Sequence, residues 1–243
     1  MRILISQQTP TNLAPYENLQ TKFGAEVEFR PFFLVEPLSA KEFRTEKINL
    51  PDYTAVVFSS RHAIDAYFKL CDEMRFKVPE TMKYFCTTEA VAMYLQKHIV
   101  YRKRKIFFGD GTPSSVVALI GPKHKGEKFL IASSGAASDA LTTLFEAAKL
   151  DYTVGVLVKQ VSQDLHDVDV KSYDMVVMYN PYDVTSLFEN YPDFKQEGLK
   201  FVSFGRSIVK AMEDAGLEIA VKAPTKEATS VGKAIELYLE NKL

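Results

Sequence analysis

The sequence predicts an α/β protein with two lobes, each built around a doubly wound parallel sheet. Short apolar segments alternate with amphipathic ones along the 243 residues, as buried parallel strands and crossover helices do. The order of these segments also repeats. Segments starting at residues 52, 83 and 112 resemble those starting at 172, 200 and 227, whereas residues 128–133 resemble residues 2–7. We therefore predict that one lobe is inserted in the other after its first strand and helix.

This repeat sets the predicted domain boundaries. Residues 1–30 and 163–243 form a discontinuous outer domain and residues 37–155 an inserted domain, both flavodoxin-like. The connecting segments, residues 30–37 and 155–163, are predicted to be linker strands. Pro31 restricts the first segment to an edge or linker position, and the second lies in a stretch of alternating polarity. The two lobes are thus expected to be joined by a two-stranded linker.

The periodicity of the apolar residues and the positions of glycine and proline predict the individual elements. Apolar or alternating runs predict strands at residues 2–6, 26–35, 54–58, 83–87, 101–108, 128–132, 152–161, 174–179, 200–204 and 218–221. Helical spacing predicts helices after residue 60 and at 16–23, 89–97, 114–120, 138–149, 183–190, 207–215 and 231–241. Residues 36–52 predict a helix and a turn at Pro51. Gly24, Gly121 and Gly216 mark helix ends.

Composition excludes several classes of protein. Thirty basic residues nearly balance 31 acidic ones, so no nucleic-acid surface is indicated. Cys71 and Cys86 give neither a disulfide framework nor metal-ligand spacing, and the four histidines are scattered. The N-terminal apolar stretch is too short for a signal peptide, and no apolar run approaches the roughly 20 residues that span a bilayer. A cytoplasmic protein with no metal, no membrane contact and no need to oligomerise is expected.

Recognised catalytic and nucleotide-binding motifs do not occur. The chain has no P-loop, no GxGxxG after a strand, no HExxH and no GxSxG. Gly109 and Gly111 fit a plain turn better than a phosphate loop. The basic run at residues 102–105 fits a solvated strand edge, and contact with an anionic ligand is the alternative.

The remaining candidates are small or polar residues at predicted strand ends. Parallel sheets bind ligands beyond the carboxyl ends of their strands, which predicts a site in the cleft between the lobes. The candidate ligand contacts are Gln7, Ser59, Ser60, Arg61, Thr87, Thr88, Ser134, Tyr179, Asn180, Gly205, Arg206 and Ser207. Each could equally be a helix cap with no further role. Together, hydroxyls and helix N-termini would suit a polyanion.

Several of these motifs resemble the uroporphyrinogen-III synthase family over essentially the whole chain. The segments that carry the resemblance are FSSRHAIDAYF, FCTTEAVAMYL, FGDGTPSSVVALI, YNPYDVTSLF and FGRSIVKAMEDAGL. The family signature F-(S/T)-S is matched at residues 58–60. Gly205, Ser207 and Gly216 match a second signature, and Pro224 with Thr225 a terminal one. The order and spacing of these weak motifs make the resemblance specific.

The resemblance implies a two-lobed, cofactor-free, cyclising hydro-lyase of haem biosynthesis. Its substrate would be the linear tetrapyrrole hydroxymethylbilane, closed to uroporphyrinogen III with inversion of ring D and loss of water. A linker tyrosine is proposed in the family to assist departure of the hydroxyl, and Lys159 stands at the matching position here. Lys159 is thus the candidate catalytic residue, and an exposed linker lysine is its plainer interpretation. The alternative function is a non-catalytic two-lobed protein that binds or senses a tetrapyrrole or another polyanion.

Overall fold

The computed structural model describes residues 1–133 and 139–242. The chain divides into two compact units: an outer unit of Met1–Leu34 with Gln160–Leu243, and an inserted unit of Val35–Lys159. The strands are β1 Arg2–Ile5, β2 Glu26–Phe29, β3 Phe33–Pro37, β4 Ala55–Phe58, β5 Lys83–Cys86, β6 Ile106–Phe108, β7 Lys128–Ser133, β8 Asp151–Val156, β9 Val158–Ser162, β10 Met175–Met178, β11 Lys200–Phe204 and β12 Ile219–Ala223. The helices are α1 Ala14–Phe23, α2 Ala40–Phe43, α3 Arg61–Glu73, α4 Glu89–Tyr94, α5 Pro113–Ile120, α6 Asp139–Ala147, α7 Pro181–Asn190, α8 Arg206–Asp214 and α9 Val231–Leu239. Within these ranges no helix is long and apolar enough to cross a membrane.

Each unit contains one five-stranded parallel sheet. The strand order is β12-β11-β10-β1-β2 in the outer unit and β6-β5-β4-β7-β8 in the inserted unit. β1 occupies the position in its sheet that β7 occupies in the other. Numbered along its own chain, the outer sheet has the flavodoxin order 2-1-3-4-5. The predicted α/β class with two parallel sheets is confirmed.

The central strands are buried on both faces. On β4, Ala55 and Val57 pack on one side of the sheet and Val56 and Phe58 on the other. The residues of β10 divide in the same way between two apolar clusters. Because successive side chains of a strand point to opposite faces, helices must cover both sides. This requirement explains why these strands read as uninterrupted apolar runs in the sequence.

The strand predicted over residues 152–161 is two strands in the structure. β8 pairs in parallel with β7, and the buried Leu157 interrupts it before β9 begins. β9 pairs with β3 in a two-stranded antiparallel ladder. Leu157 accepts a hydrogen bond from Leu38 N–H at 2.9 Å, and Phe32 accepts one from Gln163 N–H at 2.8 Å. An alternating pattern is common to both strands, so the sequence alone could not show the break.

The basic run was predicted to lie on a strand, which is wrong. β6 begins only at Ile106, and residues 102–105 form a turn closed by a hydrogen bond from Lys105 N–H to the Arg102 carbonyl at 2.9 Å. β6 pairs with β5 over Tyr84–Cys86 alone, and this short pairing sets its length. The Arg102 guanidinium lies 3.2 Å from the Glu80 carboxylate, so one of the four charges is partly neutralised.

Candidate functional site

The carboxyl ends of the parallel strands bring the candidate residues together within each unit. In the inserted sheet, the order in which strands are added reverses between the parallel neighbours β4 and β7, and in the outer sheet it reverses between β1 and β10. Such a switch point leaves a crevice beyond the strand ends, where open α/β sheets bind ligands. Ser59 and Ser60 follow β4, and Thr87 and Thr88 follow β5. Ser134 lies outside the described residues.

In the inserted unit two of the candidate hydroxyls, those of Ser60 and Thr88, cap helices. Ser60 Oγ accepts the Ala63 N–H at 3.1 Å at the start of α3. Thr88 Oγ1 accepts the Val91 N–H at 3.3 Å at the start of α4. A hydroxyl has one proton to donate in addition to its lone pairs. Each cap can therefore still donate a hydrogen bond to a carboxylate.

A turn that the sequence analysis had left out of the site lies beside Thr87. Gly111 donates its N–H to the Thr87 carbonyl at 2.8 Å, and its φ of +101° requires glycine. Asp110 Oδ1 accepts the N–H and the hydroxyl of Thr112 at 2.9 and 2.6 Å. These hydrogen bonds lower the pKa of Asp110. The Asp110 carboxylate therefore stabilises the turn, which agrees with the interpretation of the Gly-Asp-Gly sequence as a plain turn.

Arg61 places a positive charge at the start of α3. Its guanidinium lies over the Tyr94 ring, 5.4 Å from the centroid, and the Tyr94 hydroxyl donates to Asp65 at 2.8 Å. No ion pair involves Arg61 among residues 1–133 and 139–242. The ring orients the guanidinium without neutralising it, so Arg61 remains able to bind an anion.

In the outer unit, α8 begins without a side-chain cap, as α1 does. Its N-cap is Gly205, with φ +125° and ψ 153°, a combination that essentially only glycine adopts. Arg206 and Ser207, the first two helical residues, are exposed. Free N–H groups and the positive end of the helix dipole favour negative charge at this position.

At the outer switch point, Gln7 follows β1, and Tyr179 and Asn180 follow β10. Asn180 caps α7 by accepting the Tyr182 N–H at 2.9 Å. One residue here was missed by the sequence analysis. Asp183, 1% exposed, accepts the N–H groups of Tyr179 and Asn180. The capping-box spacing of Asn180 and Asp183 was the available sequence signal.

Lys159, the candidate catalytic residue, is paired with an acid. Its Nζ lies 2.6 Å from Glu42 Oε1, and both side chains are about two-fifths exposed. Hydrogen bonds from Lys159 and Ser39 lower the pKa of Glu42 to about 2. The hydrogen bond with Glu42 raises the pKa of Lys159. A raised pKa makes this ammonium a weaker proton donor but leaves it suited to contact a carboxylate.

No group of three or more histidine, cysteine or acidic side chains in the described part of the chain could hold a metal ion. Cys71 and Cys86 are both buried, and burial raises the pKa of each thiol to about 12. The candidate residues beyond the strand ends supply hydroxyls, amides, backbone N–H groups and the cations Arg61 and Arg206, whereas Lys159 lies on β9.

Comparison with known proteins identifies the family. A family model described as uroporphyrinogen-III synthase HemD matches residues 15–231. The crystal structure of uroporphyrinogen-III synthetase from Helicobacter pylori 26695 resembles the chain with a TM-score of 0.58 at 14% identity, covering 99% of this chain and 100% of that one. A mutant uroporphyrinogen III synthase from the extremely thermophilic bacterium Thermus thermophilus gives 0.54 at 13%, covering 99% of each chain. Curated protein sequences give no significant match. These structural similarities bear on the fold, and the match over most of the sequence shows that the chain belongs to the uroporphyrinogen-III synthase family.

Proposed function

We propose that the protein is a uroporphyrinogen-III synthase, which cyclises hydroxymethylbilane to uroporphyrinogen III with inversion of ring D and loss of water. The family match over residues 15–231 carries this proposal. The enzyme is thus a carbon–oxygen lyase of tetrapyrrole and haem biosynthesis.

The strand-end groups suit the substrate because hydroxymethylbilane carries many carboxylates. Ser60 and Thr88 each keep a hydroxyl proton for donation, and α8 presents uncapped N–H groups beside Arg206. Arg61 adds a cation that lacks an ion-pair partner among the described residues. We assign substrate binding to the candidate residues at these edges, with the negative charge shared among many groups.

The reaction requires orientation more than strong acid–base chemistry. Loss of the terminal hydroxyl from an electron-rich pyrrole gives an azafulvene cation readily, and attack at the substituted carbon of ring D leads through a spiro intermediate to the inverted macrocycle. Holding ring D for that attack is a positioning task, which can contribute several kcal/mol. Lys159 is assigned to the departing hydroxyl or to a nearby carboxylate, and its raised pKa favours the second role.

We further propose that the protein acts as a cytoplasmic monomer without a metal or an organic cofactor. The absence of nucleotide-binding fingerprints and of metal-ligand spacing in the sequence supports the last part. Activity that is lost on chelation and restored by a metal would contradict it.

Incubation with freshly prepared hydroxymethylbilane tests the function. Spontaneous closure gives only the type I isomer, whereas a synthase gives type III. The products are oxidised to porphyrins and the isomers separated by chromatography. Predominant type III supports the proposal. Type I alone, at the rate of a protein-free control, would leave a binding or sensing protein as the remaining interpretation.

A further inference from the structure

A buried carboxyl group holds the outer switch point together. Asp183 is 1% exposed and lies in the first turn of α7. Its Oδ2 accepts three hydrogen bonds, from Ser6 Oγ at 2.8 Å, Tyr179 N–H at 2.8 Å and Asn180 N–H at 2.9 Å. Ser6, at the end of β1, is itself buried. One oxygen atom thus joins the ends of two strands.

These strands are far apart in sequence and adjacent in the sheet. Ser6 and Asp183 are separated by 177 residues, and Ile5 of β1 lies opposite Val177 of β10. Ser6 also donates its N–H to the Val177 carbonyl at 3.0 Å. The carboxyl group continues the strand pairing past the end of the sheet and fixes the separation of the two loops that follow.

The second oxygen atom of Asp183 is buried and has no hydrogen-bond partner among the described residues. Burial raises the pKa of this carboxyl group, although its three hydrogen bonds act in the opposite direction. A buried polar atom without a partner destabilises the fold. A residue with this disadvantage is more readily explained by a contribution to the site than by stability alone.

We propose that Asp183 is a positioning residue for the cyclisation, which fixes where Gln7 and Asn180 meet the substrate. This inference rests on the proposed function. Asn180 donates its N–H directly to the Asp183 carboxyl group. Gln7 directly follows Ser6, whose hydroxyl donates to the same carboxyl group. Asp183 therefore constrains the backbone at both candidate contacts. Positioning controls which carbon of ring D is attacked, and a loosened loop therefore changes product identity as well as rate.

The same contacts determine which groups at this edge can bind an anion. The N–H groups of Tyr179 and Asn180 are used by Asp183, and the Asn180 side-chain oxygen accepts the Tyr182 N–H. Substrate carboxylates are then bound at this edge by the side-chain amide donors of Gln7 and Asn180 rather than by the start of α7.

The test compares Asp183→Ala, Asp183→Asn and Ser6→Ala with a control, Tyr173→Phe. The control removes a hydrogen bond between Tyr173 and Glu28 near the opposite end of β10. The measurements are kcat, KM, the ratio of type III to type I product and the melting temperature. Asp183→Ala should lower kcat/KM about 10- to 100-fold and reduce the type III fraction, whereas the control should change only the melting temperature.

The Asp183→Asn and Ser6→Ala variants make the test decisive even if Asp183→Ala does not fold. Asparagine retains an oxygen that accepts the same N–H groups, so Asp183→Asn should keep kcat/KM within about 5-fold of wild type and preserve the isomer ratio. Ser6→Ala removes one of three bonds and should lower kcat/KM about 2- to 10-fold. Folded Asp183→Ala or Ser6→Ala protein with wild-type kcat/KM and isomer ratio would overturn the proposal, as would equal losses in Asp183→Asn and Asp183→Ala. Failure of the wild-type protein to form type III would instead refute the proposed function.

Discussion

Replacing Ser60 with aspartate should separate the two roles assigned to this hydroxyl. As the N-cap of α3, Ser60 accepts the Ala63 N–H at 3.1 Å. Aspartate caps about as well as serine, and its charge adds about 0.3–1 kcal/mol of favourable interaction with the helix dipole. The melting temperature of Ser60→Asp should therefore equal or exceed that of the wild type.

Activity should change in the opposite direction. If Ser60 donates to a substrate carboxylate, the variant loses a hydrogen bond to a charged group, which contributes about 1.5–3 kcal/mol. Two like charges about 4 Å apart add about 1–4 kcal/mol of repulsion near a protein surface. Even the smaller figures, which sum to about 2.5 kcal/mol, lower kcat/KM by about 60-fold, since 1.4 kcal/mol is about tenfold.

Ser60→Asn is the matched control, because asparagine caps the helix without a charge and can still donate through its amide. Its kcat/KM should stay within about 10-fold of wild type. Initial rates of type III formation over a range of hydroxymethylbilane concentrations give kcat/KM, and thermal unfolding gives stability. Stable Ser60→Asp protein with wild-type kcat/KM would show that no carboxylate binds at the start of α3.

Three further predictions follow from individual contacts. Gly205→Ala should lower the free energy of unfolding by about 1–3 kcal/mol in urea titrations because of its φ of +125°, whereas Gly198→Ala should change it little; equal effects would contradict this interpretation. Burial lowers the pKa of His124, so the unfolded chain binds this proton more tightly than the folded protein does, and the free energy of unfolding should fall as the pH is lowered from about 6.5. His124→Gln should weaken this pH dependence, and identical profiles of unfolding free energy against pH for both proteins would refute the prediction. Lys159→Met should raise KM about 5- to 50-fold if the ammonium binds a substrate carboxylate, whereas Glu42→Gln, which removes the ion pair with Lys159, should not raise KM. A Lys159→Met variant with lowered kcat and unchanged KM would make Lys159 a proton donor instead.

The fold could be predicted because the information lies in the order of whole units. Residues 128–133 resemble residues 2–7 but occur after three other strands rather than before them, and this displacement indicated an insertion. In the two sheets, β7 and β1 occupy equivalent positions. The ends of the elements were less predictable. The break at Leu157 and the start of β6 after the turn at residues 102–105 depend on which neighbouring strand is available for pairing.

The site was predictable only as a set of strand ends. Sequence placed Ser60 and Thr88 correctly between a strand and a helix but could not show whether their hydroxyls cap or remain open, because that depends on local backbone geometry. Both cap their helices. The capping-box spacing of Asn180 and Asp183 indicates only the start of a helix, and the bond from Ser6 to Asp183 leaves no local pattern because it joins residues 177 apart.

A site built from helix caps would tolerate sequence change at its binding positions. Any serine, threonine, asparagine or aspartate can satisfy an N-cap, and in serine and threonine the same atom that stabilises the helix can contact the substrate. Exchange among the neutral members therefore preserves the helix and a donor together, so no fixed motif needs to persist. The compared structures share only 13–14% of their residues with this chain. The Lys159→Met and Ser60→Asp variants measure how far substrate binding is distributed over such positions.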